Sequence, residues 1–222
     1  MDLLTDTTTL ADLAVAYPAA SRVFYANRLD FCCNGRRSFA DACRERGLDA
    51  GSLLDEIRRE QQSSAPATRW ELAPLPDLID HIVNHYHRRL RVALPDLERM
   101  ARKVETRHAD KPSCPAGVVA LLQKMQASVF LHLEKEETIL FPAILRGIGA
   151  SLATPVELIE LEHDHHKEDL QRIRALTNDL TLPEEACTTW RALYVNLQQF
   201  EQELMEHIHL ENNILFRRAL AA

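Results

Sequence analysis

Two histidine and glutamate pairs, His132 with Glu136 and His207 with Glu211, stand four residues apart in this chain. On a helix that spacing spans about 6 Å along the axis and returns to the same face, so imidazole and carboxylate can converge on one ion. The surrounding pattern turns these faces inward. Leu121, Met125 and Ile139 fall on the stripe of the first pair, and Leu197, Leu204 and Leu215 on that of the second. A buried carboxylate without a partner is costly, and two at one depth repel each other; a multivalent cation between them resolves both problems. One such pair alone reads more simply as an exposed ion pair or a satisfied core histidine. Its repetition reverses that preference.

The segment HLEKEETILFPAIL from His132 aligns without a gap on HIHLENNILFRRAL from His207, a shift of 75 residues. Each copy follows a histidine on an earlier helix: His87 lies 45 residues before His132, and His163 lies 44 before His207. Two long helical hairpins of this kind suit a four-helix bundle with pseudo-twofold symmetry around one site. On the first helix His87 shares a face with Val83, Leu90, Leu94 and Leu97, whereas His81 and His85 align with Arg88 on a wetter side. On the third, the series Val156, Ile159, His163, His166, Leu170, Ile173 makes His163 and His166 inward and leaves His165 outside. Repeat spacing selects His163, with His166 in reserve. His108 would lie about 31 Å along a continuous helix from His87 and cannot join it.

Four imidazoles and two carboxylates suit a pair of iron ions in mixed nitrogen and oxygen ligation, unlike the thiolate-rich sites of structural zinc. If both glutamates bridge, each iron gains two nitrogens and two oxygens and keeps roughly two open positions, room for an oxo or solvent bridge and a diatomic ligand. A ferritin-like arrangement would instead need glutamate and histidine three apart on each of two helices. Here that spacing occurs as Glu160 with His163 and Glu162 with His165, both on the third helix.

The elements that must position these residues follow from composition and punctuation. The chain has 222 residues, 46% hydrophobic, with only six glycines and long runs of straight-chain residues that favour helix. An all-α fold is expected. Four amphipathic segments, roughly Pro76 to Glu105, Pro115 to Leu145, Pro155 to Thr177 and Pro183 to Arg217, each open near a proline. Before them three short helices are expected, around Leu10 to Tyr17, Ala20 to Asn27 and after Ser38. The polar stretch QQSSAPAT, with Pro66 opposing helix, divides the two parts. We therefore expect a small helical domain over 1–62, a linker over 63–73 and a bundle over 74–222.

A net charge of −7 disfavours nucleic acid and anionic membranes as partners. The start, MDLLTDTTTL, lacks the pattern of a secretory signal, and no apolar run approaches the ~20 residues that span a bilayer, so the cytoplasm is expected. Five cysteines, an odd number, do not suggest a disulfide framework. Adjacent Cys32 and Cys33 sit in the turn Asp30 to Gly35, where Gly35 can take a positive backbone dihedral. Helix N–H groups together with Arg36 and Arg37 would lower a thiol pKa there and favour thiolate. Two small apolar residues in a core is an equally weighted alternative. Cys43, Cys114 and Cys187 read as structural.

The segments DFCCNG at Asp30, DHIVNHYH at Asp80, RHADKPSCP at Arg107, HLEKEETILFP at His132, LEHD at Leu161, EACTTW at Glu185 and HIHLENNILF at His207 together resemble the bacterial iron-sulfur cluster repair di-iron proteins. The resemblance runs essentially end to end. It implies a Cys-Cys domain ahead of a hemerythrin-like antiparallel four-helix bundle, and two iron ions held by His87, His132, Glu136, His163, His207 and Glu211. It also implies a role for Cys32 and Cys33, and iron-sulfur proteins damaged by nitric oxide or oxidants, or their apo forms, as partners. Asn34, where glycine is commoner, and Arg217, opposite Pro142 of the first copy, depart from the pattern without touching a ligand position. Three functions compete: iron supply for cluster repair, reduction of nitric oxide, nitrite or peroxide, and oxygen or nitric oxide sensing. Homodimerisation is left open.

Overall fold

The computed structural model describes residues 8–64, 68–147 and 149–221. Met1 to Thr7 and Ala65 to Ala67, which carry part of the expected N-terminal and linker assignments, lie outside the described residues. Among the described residues eight α-helices follow in order: α1 (Leu10–Ala16), α2 (Ala20–Ala26), α3 (Phe39–Arg46), α4 (Ala50–Ser63), α5 (75–107), α6 (118–145), α7 (Ala153–Leu176) and α8 (188–220). Among the described residues the only strand-like pairing is an isolated bridge between Thr9 and Ser38. No helix among them is long and apolar enough to cross a membrane.

The small module has four helices where three were expected. Gly47 takes φ 66°, a left-handed conformation that suits glycine at a helix end, and stops α3; Asp49 then accepts from the backbone N–H of Ser52 and starts α4. Thr9 and Asp12 form a reciprocal capping box on α1. The prolines mark the long helices less tightly than expected. Pro76 is in the first turn of α5 and Pro155 in that of α7, but α6 begins at Val118 after Gly117 and α8 at Thr188. Glu105 at the end of α5 caps α6 by accepting from Val119 N at 2.8 Å.

Helices α5 to α8 pack in a closed ring, each against the one before and the one after, as short connections between long helices require. Their interior holds two apolar clusters. One contains Leu90, Leu94, Met125, Leu133, Leu170, Leu197 and Ile208; the other contains Ile82, Tyr86, Leu140, Ile159, Leu210 and Leu215. His87, Glu136 and His163 lie in sequence between the members of one cluster and those of the other, and Glu211 directly follows Leu210, where the second cluster begins on α8. The candidate ligands thus form a polar layer between two dry ones.

Three of the four bundle helices widen into a π turn at this layer: 82–87 in α5, 136–140 in α6 and 211–215 in α8. An extra residue in a turn rotates everything beyond it relative to a regular helix. The expectation that Ile139 faces inward is corrected for that reason: Ile139 is 64% exposed and Leu140 takes the buried place.

The small module docks on the second repeat copy. Asn212 Nδ2 donates to Cys32 O at 3.2 Å, and Asn213 Nδ2 to Phe31 O at 3.1 Å. Farther along α8, the Tyr25 hydroxyl donates to Glu201 at 2.8 Å, and Arg174 pairs with the same carboxylate. Gly35 does not adopt a positive φ, contrary to expectation; it is needed because a Cβ there would meet Phe31 O at 2.6 Å and Ala11 Cβ and Asn213 Oδ1 at 2.9 Å. Gly35→Ala should therefore lower stability by about 1–3 kcal/mol through overpacking, measured by urea denaturation of the full chain.

Candidate metal centre

The structure brings together all six residues selected from the sequence repeat. His87, His132, Glu136, His163, His207 and Glu211 are each at most 1% exposed. They fall into two overlapping sets of four, His87, His207, Glu136 and Glu211 in one and His132, His163, Glu136 and Glu211 in the other, each able to surround a single ion. Both carboxylates belong to both sets. Glu136 Oε2 lies 3.5 Å from His87 Nε2 and 3.4 Å from His132 Nε2. Glu211 turns one oxygen to each side, Oε1 at 2.8 Å from His207 Nε2 and Oε2 at 3.2 Å from His163 Nε2. The imidazoles pair as His87 with His207 (Nε2 to Nε2, 3.0 Å) and His132 with His163 (3.1 Å). The sequence repeat relates His87 to His163 and His132 to His207, so its pseudo-twofold axis exchanges the two sets.

Partners on Nδ1 aim Nε2 at the centre for three of the four rings. His87 Nδ1 donates to Glu137 at 2.8 Å, and Arg91 holds that carboxylate at 2.7 Å. His132 Nδ1 donates to Glu162 at 2.9 Å, with Lys135 on the other oxygen. His163 Nδ1 donates to Asn212 Oδ1 at 2.8 Å. Such supporting residues orient metal ligands and raise their basicity. Apolar stripes do not single out Glu137, Glu162 or Asn212. A signal for two of them existed, since Glu137 and Asn212 are the residues that follow the paired glutamates.

Electrostatics favour a cation here. Neither oxygen of Glu136 has a hydrogen-bond partner, and Oε2 of Glu211 has none. Burial and the facing Glu211 carboxylate push the Glu136 carboxyl well above its ordinary range. Glu211 is also opposed by burial, but His207, His163 and His87 hold it well below. Burial lowers His132 to about 4 despite Glu162, and lowers His207. His87 is raised, because Glu137 and Glu211 outweigh its burial. Hydrogen bonds from His87 and His132 take Glu137 and Glu162 each down to about 2.

His209, outside both sets of four, is buried beside Phe31 and bonded to Asn213 through Nδ1 at 3.1 Å. His166 is buried against His132, ring centroids 5.1 Å apart, with neither nitrogen bonded, and is in neither set of four. His165 and His85 are exposed. His81 is half-buried, stacked between Trp70 and His85. His108 ends α5, with Nε2 3.3 Å from Cys187 Sγ, away from the centre.

The Cys32–Cys33 turn lies beside the metal layer through its backbone. Asn212, bonded to His163, also bonds Cys32 O. All five cysteines are free, and Asp30, Cys32 and Cys33 form a third cluster that could hold an ion. The expected thiolate is corrected at Cys32. Its thiol is pushed well above the ordinary range by its contact with Cys33, by burial and by Asp30. The turn's N–H groups, at Cys33 and Asn34, are taken by Asp30 instead of sulfur; Arg37 pairs with Glu45, and Arg36 is exposed.

Residues 78–219 match the hemerythrin HHE cation binding domain family, and residues 6–61 match a domain family of unknown function, ScdA_N. The iron-sulfur cluster repair protein YtfE of Dickeya chrysanthemi (strain Ech1591) is 46% identical over 213 residues, covering 95% of this chain and 96% of its own. The chain belongs to the iron-sulfur cluster repair branch of the hemerythrin HHE family. The proteins of the same name from Yersinia pseudotuberculosis (serotype O:1b, strain IP 31758) and Yersinia pestis (strain Pestoides F) are 44% and 43% identical over the same shares of both chains. Membership in this family implies iron as the bound metal, and the buried His and Glu sets have the donor chemistry for it.

Three outcomes are expected. Glu136→Leu should sharply lower the iron bound per chain, measured by elemental analysis. It should also stabilise the metal-free protein by about 1–4 kcal/mol in urea, because a buried carboxyl without a partner is replaced by an apolar side chain. Metal uptake below the raised pKa of Glu136 should release a proton from that group, and this release should fall as pH rises through that pKa, measured by titration calorimetry in buffers of different ionisation enthalpy.

Proposed function

We propose that His87, His132, Glu136, His163, His207 and Glu211 hold two iron ions, with Glu136 and Glu211 bridging them, and that the chain supplies iron from this centre to iron-sulfur proteins damaged by nitrosative or oxidative stress. The observation that carries the reading is the sharing of two fully buried carboxylates by two histidine pairs, which gives each ion two nitrogens and two oxygens. The name of the close relatives, iron-sulfur cluster repair protein, supports the destination. Iron here is cargo. When the centre is loaded, the positive ions neutralise the two carboxylates; when it empties, a proton on Glu136 and the imidazoles around Glu211 take over that task.

The Cys32–Cys33 turn is the element we assign to the acceptor side. Cys33 is partly exposed, and Lys167 pairs with Asp30 at 3.2 Å beside it. We propose the cytoplasm, a reducing compartment, as the setting; five free cysteines are compatible with it. The test incubates iron-loaded protein with an apo iron-sulfur acceptor, and follows cluster formation with and without a ferrous chelator. Transfer faster than from free iron, resistant to chelator and reduced in the Cys32→Ala, Cys33→Ala double variant, is expected. Transfer no better than the free-iron control refutes the donor reading, and sustained turnover of nitric oxide with reductant and no loss of iron would replace it with an enzyme.

A further inference from the structure

The symmetry of the ligands is not shared by their surroundings. The repeat relates α5 to α7 by 76 residues and α6 to α8 by 75, so each supporting position has a counterpart that can be read directly. Glu162, which accepts from His132 Nδ1, corresponds to Tyr86. Tyr86 cannot reproduce that bond. Its ring stacks on His207 with centroids 5.8 Å apart, and His207 Nδ1 is buried with no hydrogen-bond partner. Buried His166, beside His132, corresponds to Leu90, so the spare imidazole lies on the His132 and His163 side only.

One difference runs the other way. Glu137, the carboxylate on His87, corresponds to Asn212, the amide on His163. An amide still fixes the ring and leaves Nε2 free for metal, whereas an absent partner fixes nothing. His207 Nδ1 has no such partner, and its Nε2 lies 2.8 Å from Glu211 Oε1. Loss of one supporting partner commonly costs about 10–100-fold in metal affinity, more than an amide in place of a carboxylate should.

Tyr86 also lines a cleft of about 340 Å³ between the small module and the bundle, together with His81, Glu206 and His209. Glu206 and His81 are groups a departing cation could meet on its way. Cys32 and Cys33 do not line this cleft.

We infer that the two metal positions are unequal: the ion held by His87 and His207 is the exchangeable one and leaves past Tyr86, while the ion held by His132 and His163 is retained. This identifies the cargo ion of the donor reading and rests on it only for its biological meaning. Release of a ferrous ion requires no electron transfer, so no further reagent is involved.

The deciding experiment loads the full chain anaerobically with one equivalent of ferrous ion and measures the occupancy of each position by anomalous diffraction at the iron edge. Occupancy at the His132 and His163 position about ten times or more that at the other is expected. Equal occupancy, or the reverse order, overturns the inference whatever the protein does with its iron. A second measurement follows iron loss from fully loaded protein to a ferrous chelator. Two phases of equal amplitude are expected, the faster removed by Tyr86→Glu, which gives His207 the partner His132 has, and the slower accelerated about tenfold or more by Glu162→Ala, which takes that partner away. A single phase from the wild-type chain overturns the inference. If neither ion leaves, the donor reading falls while the occupancy ratio still decides between the two positions.

Discussion

Two carboxylates, Glu136 and Glu211, are completely buried at one level of a helical bundle, and most features of the molecule can be traced to that constraint. Like charges held this close in a dry layer cannot both stay ionised without compensation. Four imidazoles supply part of it, with Glu211 held ionised by His207, His163 and His87 while Glu136 is driven toward its neutral form. The π turns at 82–87, 136–140 and 211–215 fall at the same level, where the backbone must turn these side chains inward. The apolar clusters on either side keep water from screening the layer. A centre so arranged suits cations, because its own charges are otherwise difficult to accommodate.

The supporting residues show how a duplicated scaffold can make unequal halves. Glu137, Glu162 and Asn212 each hold one imidazole by Nδ1, and Tyr86 takes the fourth position without doing so. The small module adds to the asymmetry by docking on α8 through Asn212, Asn213 and Glu201 and on α7 through Lys167 and Arg174. Asn212 joins the Cys32 carbonyl to His163, so the thiol turn and the metal layer share one hydrogen-bonded connection. Domain packing and metal support are therefore the same interaction at this point.

Much of this was legible in the residues themselves. A period of 75 residues relating His132 and Glu136 to His207 and Glu211, together with apolar stripes, is enough to name six positions and a four-helix bundle, because helical spacing converts sequence offsets into faces. The family resemblance carried in DFCCNG and HLEKEETILFP pointed the same way, and the matches over 6–61 and 78–219 agree with it. What spacing cannot supply is rotation after a break in regularity. A 3.6-residue period puts Ile139 inward, and the π turn over 136–140 interrupts that period.

Sequence alone determined which residue types face the bundle interior and that their buried charge calls for a cation, since both follow from local periodicity. Tertiary structure alone decided which histidine pairs with which, since His87 meets His207 across 120 residues and no local rule relates them. It also decided the state of Cys32. Nearby arginines in the sequence suggested a thiolate, but the folded chain buries the sulfur against Cys33 and Asp30 and turns Arg37 toward Glu45. Electrostatic environment depends on distance in space, and a linear neighbour is close only if the fold keeps its side chain there.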